Sequence, residues 1–190
     1  MESISQAGFR EALARFASGV TVVAVRTRSE RPVGLTATAF SAVSLTPPLV
    51  LVCVARRSHA HDGVIGAERF GVSVLAEAQR WIAKQCARPG EERFDGVPWS
   101  KGLGDGVPLV DGAVVQLECR RHQLCAAGDH TILIGEVLET TIGTEAPLVH
   151  FARRFGTFSE SPDGARASGE AGRHLACEIE SASGKEERHG

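Results

Sequence analysis

The chain has 190 residues, of which 43% are apolar and 23% charged, and its formal net charge at pH 7 is -2. This balance is that of a globular protein with a sizeable core, and it favours neither nucleic acid nor an anionic membrane as a partner. The sequence has no apolar run of about 18 residues, so we expect no transmembrane helix. Because the first residues are polar and charged, unlike a signal peptide, we expect a cytoplasmic protein.

The N-terminal part of the chain predicts a helix followed by a strand pair. Residues 5–18 carry apolar side chains at helical spacing, and Ser5 can cap the start of this helix. Residues 20–27 are rich in β-branched side chains, which predicts a strand. Residues 29–32 have the composition of a turn, so we expect a return strand from Val33.

The stretch Val33–Val54 is the most distinctive part of the sequence. It begins with small and hydroxylated residues, which can bring backbone and several hydroxyl groups close to a flat polar ligand. A bend at Pro47-Pro48 separates this part from Leu49–Ala55, whose nearly continuous apolar run predicts a strand covered on both faces. We therefore expect a polar ligand surface with a buried strand behind it.

The middle of the chain predicts helices around one strand. A short helix is expected at 62–65, a strand at 69–75 and a longer helix at 76–87. The Gly/Pro-rich stretch 88–112 predicts a long loop, and loops of that length usually bind a ligand or cover one.

The last third of the chain predicts a strand hairpin and a closing strand. Residues 113–122 and 131–140 are strand-like, and residues 126–130 have the composition of the turn between them. Residues 148–158 predict the last ordered segment. Beyond it the chain is rich in Gly, Ser, Ala and charged residues, which predicts disorder.

We therefore predict one domain over 1–158 and a disordered tail over 159–190. Strands outnumber helices and most connections are hairpin-like, which favours an antiparallel barrel over a parallel doubly wound sheet. The glycine-rich signatures of dinucleotide-binding and phosphate-binding loops are missing from the sequence.

The cysteines and clustered histidines predict no metal site. The five cysteines are scattered and form no C-x-x-C pair, which is typical of reduced cytosolic thiols. Cys119, His122 and Cys125 do not have a standard zinc spacing, and the pair His59 and His61 has no third ligand nearby in sequence.

Six segments carry a family resemblance when they are taken together in this order: FREALARFASGVTVVAV, GLTATAFSAVSLTPPLVLVCV, RFGVSVL, RFDGVPW, GDHTILIGEV and PLVHFARRFG. As a set, over residues 8–158, they resemble the short-chain flavin reductases, small NAD(P)H:flavin oxidoreductases that supply reduced flavin to two-component monooxygenases. The resemblance implies a mainly β fold, the FMN-binding split β-barrel, an antiparallel Greek-key barrel with two or three flanking helices. It also implies a homodimer with the flavin near the subunit interface.

The resemblance implies that the hydroxyl-rich part of Val33–Val54 binds the flavin. The positions carried over from the family are Thr36, Ala37, Thr38, Ser41, Ala42, Val43, Ser44 and Leu45. An isoalloxazine needs a flat surface, hydrogen bonds to its polar edge and donors near the negative charge of its reduced form. From the residues alone, a threonine-rich strand pair whose hydroxyl groups face water is the alternative.

The phosphate of FMN needs cationic or N–H donors. Arg57 and Ser58 match the family position that approaches this phosphate. Arg93 and Phe94 are a second candidate pair, expected to close over the flavin. From the residues alone, the arginines can equally be solvated surface side chains.

The tripeptide Gly128-Asp129-His130 matches a family signature. It implies that His130 lies beside the nicotinamide of NADH, and that Asp129 helps to position the turn. Hydride transfer needs the donor carbon about 3–3.5 Å from the flavin nitrogen, so we expect His130 to orient the nicotinamide rather than to donate a proton.

Arg154 and Phe155 match the family segment that lines the nicotinamide side, although the chain has no tyrosine where relatives often have one. From the residues alone, a polar turn histidine and a closing strand with solvated arginines are the alternatives.

The predicted function is that of an NAD(P)H:flavin oxidoreductase, which reduces FMN or FAD by hydride transfer and supplies a partner monooxygenase. The first alternative is a flavoredoxin-like FMN electron-transfer protein without a nicotinamide site. The second is a dimeric barrel that serves only as a binding module and holds no flavin. The sequence leaves open the choice between NADH and NADPH, and between FMN and FAD.

Overall fold

The structure is a computed structural model that describes residues 4–27, 30–90, 92–102, 104 and 106–159. Helices in these ranges are α1 (Gln6–Leu13), α2 (His61–Gly66) and α3 (Arg80–Cys86), with 3₁₀ turns at Glu77–Gln79 and Glu92–Phe94. The first six strands are β1 (Ser18–Gly19), β2 (Thr21–Arg26), β3 (Pro32–Ala37), β4 (Phe40–Leu45), β5 (Pro48–Ala55) and β6 (Arg69–Val74). The others are β7 (Trp99–Lys101), β8 (Pro108–Val110), β9 (Val115–Ala127), β10 (His130–Ile142), β11 (Leu148–Phe151) and β12 (Arg154–Thr157).

Seven strands form an antiparallel barrel in the order β3-β2-β6-β9-β10-β5-β4. The strands at the two ends of this order, β3 and β4, are separated by only two residues in the chain. β3 pairs with β2, and β4 pairs with β5. The bent segment 32–45 therefore joins the two edges of the sheet and closes it, and at the bend the Ala39 carbonyl accepts a hydrogen bond from the Cys53 N–H at 3.0 Å.

Two apolar clusters hold the fold together. The first fills the barrel and includes Val52, Phe70 and Leu133, all fully buried. The second lies between β2, α3 and β11 and includes Ile82 and Leu148. Each such side chain contributes about 1.5–3 kcal/mol through its removal from water. A 3-stranded sheet (β1, β11, β12) and the β7–β8 hairpin complete the described fold.

The mainly β barrel and its flanking helices are confirmed, with differences at several boundaries. The N-terminal helix ends at Leu13 rather than at residue 18 and buries none of its residues. The stretch 88–112 is not a structureless loop, since it contains β7, β8 and a 3₁₀ turn. The segment 148–158 holds two strands rather than one, because Ala152 and Arg153 form a positive-φ turn.

Two further expectations around the hairpin and β5 are corrected. β9 ends at Ala127 and β10 begins at His130, so the turn between them is only Gly128-Asp129. His130 is therefore the first residue of β10 and not part of the turn. Burial alternates along β5, so only one of its faces lies in the core. The other face lies on the outside of the barrel.

The predicted tail lies outside the described residues, except for Ser159, and the predicted turn at 29–32 lies partly outside them. No helix in the described ranges is long and apolar enough to cross a membrane.

Candidate active site

The structure brings together Ser58, which the sequence analysis assigned to the flavin phosphate, and Arg93, which it expected to close over the flavin. Arg93 Nη1 donates a hydrogen bond to Ser58 Oγ at 3.2 Å, and Arg93 Nε donates to the Gly90 carbonyl at 2.8 Å. Ser58 lies between β5 and α2, whereas Arg93 lies in the 3₁₀ turn after α3. The segment after β5 and the turn after α3 therefore meet at this pair.

Arg93 is a buried cation, and its hydrogen-bond partners among the described residues are all neutral. Its relative exposure is 9%, and its hydrogen bonds go to a hydroxyl and a carbonyl group. Among the described residues, no carboxylate lies within ion-pair distance of its guanidinium. A buried charge is costly unless an opposite charge offsets it, so this position suits an anionic group such as a phosphate.

The neighbouring residues of this pair differ from the expected arrangement. Phe94 is only 3% exposed and belongs to the apolar cluster beside α3, where its ring packs against Gly34. It therefore cannot close over a ligand in this conformation, because its ring is part of the core. Arg57 is exposed and lies near Asp129 rather than beside Arg93.

A groove of about 750 Å³ runs between α1 and the bend of segment 32–45. Its polar residues include Thr38, Ser41 and His150, and Phe9, Phe16, Phe40 and Leu51 are among its apolar residues. Aromatic walls with a few convergent polar groups are typical of sites for flat ligands. Thr38 and Ser41, two of the residues predicted to contact the flavin, line this groove.

The side chains of the other residues that the family resemblance assigned to flavin binding point in different directions. Thr36 Oγ1 donates a hydrogen bond to the Ala83 carbonyl of α3 at 2.8 Å, and Ala37 is buried. Ser44 Oγ accepts a hydrogen bond from the Thr46 N–H at 3.2 Å. Ala42, Val43 and Leu45 are exposed, with Leu45 at 92%. In the single chain, Thr38 and Ser41 line the groove, whereas Thr36 and Ala37 are not among its lining residues.

Asp129 and His130 form a hydrogen-bonded pair at the start of β10. Nδ1 of His130 lies 2.7 Å from Oδ1 of Asp129, and the side chains are 41% and 91% exposed. The hydrogen bond from His130, with the charges of His130 and Arg57, holds the pKa of the Asp129 carboxyl below its usual value. The backbone is also fixed, because the Arg56 N–H donates to the Asp129 carbonyl at 3.0 Å.

His130 lies on the same outer barrel face as Ser41 but far from it. Ser41 pairs with Leu51, and Leu51 pairs with Ile134, four residues after His130. Two strand spacings and four residues of strand separate their backbones by roughly 16 Å. One chain therefore does not place the His130 imidazole over the groove.

The segment containing Arg154 and Phe155 lies at the groove instead. His150 and Arg153 line the groove, and the Phe155 ring meets the His150 ring edge to face at a centroid distance of 5.5 Å. Phe155 is half-buried against the cluster beside α3, and Arg154 is exposed. The sequence analysis missed His150 and Arg153 as lining residues, although both belong to the quoted segment PLVHFARRFG.

Two of the described cysteines, Cys86 and Cys119, are unsuited to nucleophilic chemistry because they are buried. Burial raises the pKa of Cys86 to about 12, against a small opposing effect of Arg93. Burial and then the Glu118 charge raise the pKa of Cys119 to about 12. No group of three or more metal-ligating side chains is found in the described part of the chain.

Comparison with known proteins gives a consistent result. A family model described as "Flavin reductase like domain" matches residues 13–159. The NADH:riboflavin 5'-phosphate oxidoreductase of Streptomyces pristinaespiralis is 41% identical over 157 residues, which cover 82% of this chain and 89% of that protein. The reductase component of a Thermus thermophilus 4-hydroxyphenylacetate 3-monooxygenase is 45% identical over 148 residues, covering 77% and 93%.

A solved structure and a longer relative add to this comparison. The NADH:FAD oxidoreductase of Streptomyces globisporus, solved with NAD and FAD fragments, superimposes with a TM-score of 0.78 at 37% identity, covering 86% of this chain and 100% of that one. A probable flavin reductase of Rhizobium meliloti is 42% identical over 128 residues, and the match spans only 41% of its length.

Proposed function

The chain belongs to the flavin reductase like family, and we propose that it works as an NADH:flavin oxidoreductase whose flavin site is built around Ser58, Arg93 and the groove beside Thr38. It reduces FMN or FAD with NADH. When bound there, the flavin supplies the ring system that accepts hydride from the nicotinamide. The residues of this chain bind the two partners, orient them and exclude water.

The single observation that carries the flavin site is the buried Arg93, whose hydrogen-bond partners among the described residues are all neutral. Its guanidinium and the Ser58 hydroxyl offer N–H and O–H donors at one point, where a flavin phosphate supplies the missing negative charge. Thr38 and Ser41 in the groove suit the polar edge of the ring, and Phe40 suits its apolar edge. The residues present therefore fit a flavin mononucleotide.

We propose that His130 orients the nicotinamide, with Asp129 fixing the imidazole. The backbone of His130 lies roughly 16 Å from that of Ser41 in its own chain, a distance too large for His130 to reach a ring bound beside Ser41. A second copy of the chain offers a simple way to complete the site. The homodimer is thus part of the proposal.

The surface available for this dimer is the apolar face of α1 and the outer face of β5. Phe9, Leu13 and Phe16 are 51%, 56% and 76% exposed, and Leu51 on β5 is half-buried. Apolar side chains so exposed over one continuous region are typical of subunit interfaces. The groove lies within this region, so closure by a second copy also shields the ring from water.

The Thermus relative, named as the reductase component of a monooxygenase, supports a partner of the same kind here. The reduced flavin passes to a flavin-dependent monooxygenase, and no nucleic acid or membrane is involved. We place the enzyme in the cytoplasm, where reduced thiols such as those of this chain persist.

The test is a steady-state assay of the purified chain with NADH or NADPH against FMN, FAD and riboflavin, followed through the near-ultraviolet absorbance of the reduced nicotinamide. We expect flavin-dependent oxidation of NADH under air, and bleaching of the flavin absorbance without oxygen. A protein that binds flavin but oxidises neither nicotinamide would instead be an electron carrier. A protein that binds no flavin would be a binding module.

A further inference from the structure

The His61 imidazole links the start of α2 to the strand that carries His130. Its Nε2 lies 3.0 Å from Thr131 Oγ1, and its Nδ1 lies 2.7 Å from Asp62 Oδ1. The His61 side chain is 15% exposed and Thr131 is 8% exposed, so their contact is shielded from water. The two residues are 70 positions apart in the chain, and neither belongs to the flavin or nicotinamide contacts assigned above.

The partners of the imidazole determine which ring nitrogen donates. A carboxylate only accepts hydrogen bonds, so Nδ1 of His61 donates to Asp62. In the neutral ring, Nε2 then accepts a hydrogen bond from the Thr131 hydroxyl, whereas in the protonated ring Nε2 donates to Thr131 Oγ1. Because a hydroxyl group can donate or accept, the contact persists in both protonation states. His61 is therefore a permanent brace on Thr131.

The helix α2 gives this imidazole a fixed base. Ala60, just before the helix, and Val64 within it are 2% and 0% exposed, and both pack in the cluster that fills the barrel. At the other end of α2, Arg121 Nη1 donates a hydrogen bond to the Ile65 carbonyl at 2.7 Å. Since the helix is held at both ends, the imidazole can hold Thr131 in place rather than follow its motion.

The contact acts on the backbone next to His130. Successive residues of a strand point to opposite faces, so Thr131 faces the barrel interior and His130 faces outward. His61 thus holds β10 from the inner face, one residue after His130. On the other side of His130, the Arg56 N–H donates to the Asp129 carbonyl at 3.0 Å. The exposed His130 imidazole therefore extends from a backbone that is fixed on both sides.

We propose that His61 is a positioning residue for NADH, because through Thr131 it fixes the backbone from which His130 orients the nicotinamide. This inference rests on the role of His130 in the proposed function. His61 itself contacts neither flavin nor nicotinamide. Hydride transfer depends on orientation, so loss of the brace should impair the use of NADH and leave flavin binding nearly unchanged.

The test compares four variants by the KM for NADH and the dissociation constant of FMN. His61→Ala and Thr131→Val, which keeps the shape but loses the hydroxyl, should each raise the KM for NADH about three- to tenfold, the scale of one lost hydrogen bond. Thr131→Ser keeps the hydroxyl and should restore a nearly normal KM. Ser73→Ala is the matched control. It removes an equally buried hydroxyl, which accepts from the Val110 N–H at 2.9 Å on β6, a strand that does not pair with β10.

Ser73→Ala should lower stability without raising the KM. A normal KM in both His61→Ala and Thr131→Val overturns the proposal. An equal rise in Ser73→Ala also overturns it, since the effect would then be a general loosening of the barrel.

A second arm adds His61→Ala to His130→Ala. If His61 acts through His130, the double variant should have the same KM for NADH as His130→Ala alone. A further rise of the same size as in the single variant overturns the proposal, because His61 would then act by another route. A normal KM in His130→Ala overturns both this proposal and the nicotinamide role of His130.

Hydrogen exchange followed by mass spectrometry gives a readout that needs no activity. The amides of residues 128–133 should exchange faster in His61→Ala than in the wild type, and unchanged rates overturn the brace. Failure of the proposed function is a separate result, namely a wild type that oxidises no NADH with either flavin. The exchange rates decide in that case whether His61 holds the start of β10.

Discussion

Ser58 Oγ and Arg93 Nη1 lie 3.2 Å apart, although 35 positions separate the two residues in the chain. The contact joins the end of β5 to the turn after α3, and it places a buried guanidinium at the junction of two cavities. No local pattern specifies such a contact. It exists because the closed barrel and the packing of α3 fix both ends.

Replacing Arg93 by lysine should weaken the binding of FMN about tenfold and leave the binding of riboflavin nearly unchanged. Lysine keeps the charge but lacks the planar fork that bonds to Ser58 and Gly90 together. Because riboflavin has no phosphate, the ratio of the two dissociation constants separates a phosphate contact from a general loss of folding. Ser58→Ala should shift the same ratio in the same direction. An equal loss for both flavins would remove the phosphate assignment.

Replacing Gly34 by alanine should destabilise the fold by about 1–3 kcal/mol, since a core position would be overpacked. A Cβ atom there would lie 2.7 Å from Phe94 Cε2 and 2.8 Å from the Val23 carbonyl oxygen. Gly19→Ala is the control, because a Cβ atom at Gly19 meets nothing within 4 Å. Urea denaturation followed by circular dichroism gives both free energies. Equal midpoints for the two variants would contradict the close packing of Phe94 on β3.

Asp129→Asn and His130→Ala should both raise the KM for NADH several-fold, the scale of one lost orienting hydrogen bond, without weakening flavin binding. The folded pKa of Asp129 is depressed, so its interaction with His130 is complete at neutral pH and is lost as the pH falls below the usual carboxyl value. Wild type and Asp129→Asn should accordingly differ, at neutral pH, in the dissociation constant of NAD⁺, which unlike NADH is stable in acid. This difference should shrink as the pH falls below the usual carboxyl value. His122→Ala, an exposed histidine of β9, is the control. A pH-independent difference would assign Asp129 a purely structural role.

The sequence predicted what depends on local periodicity. Runs of β-branched and other apolar residues bounded by turn residues identified β2, β6, β9 and β10, and hairpin-like connections predicted an antiparallel barrel. Barrel closure by segment 32–45 was not predictable in this way, because it depends on pairing with two distant strands. The family resemblance identified Ser58, Arg93 and His130 as candidate site residues.

Their placement, with Arg93 on Ser58 and His130 remote from the groove, comes from long-range packing. The same reason explains Phe94. Its aromatic side chain next to Arg93 suggested a ligand contact, yet Gly34 leaves space for the ring in the core.

Cys86 and Cys119 should resist alkylation in the native protein at pH 8. With pKa values raised to about 12 by burial, each is a thiolate in only about one molecule in ten thousand. Peptide mapping by mass spectrometry after iodoacetamide treatment measures this. Cys125, for which burial is only partial, serves as the internal comparison. Labelling of Cys86 at the rate of Cys125 would mean that the cluster beside α3 opens readily.

Charged substitutions at the end of α1 and just after it should convert the proposed dimer to monomer. Leu13 and Phe16 are 56% and 76% exposed, and a Glu at either position would place a charge in the apolar face assigned to the second copy. The double variant Leu13→Glu/Phe16→Glu should halve the mass measured by light scattering. Since these residues also line the groove, it should weaken flavin binding as well. Ala78→Glu adds a charge at an exposed position that does not line the groove, and it should leave the mass of the dimer unchanged. A dimer that persists in the double variant would move the interface elsewhere, and His130 would then need another route to the flavin.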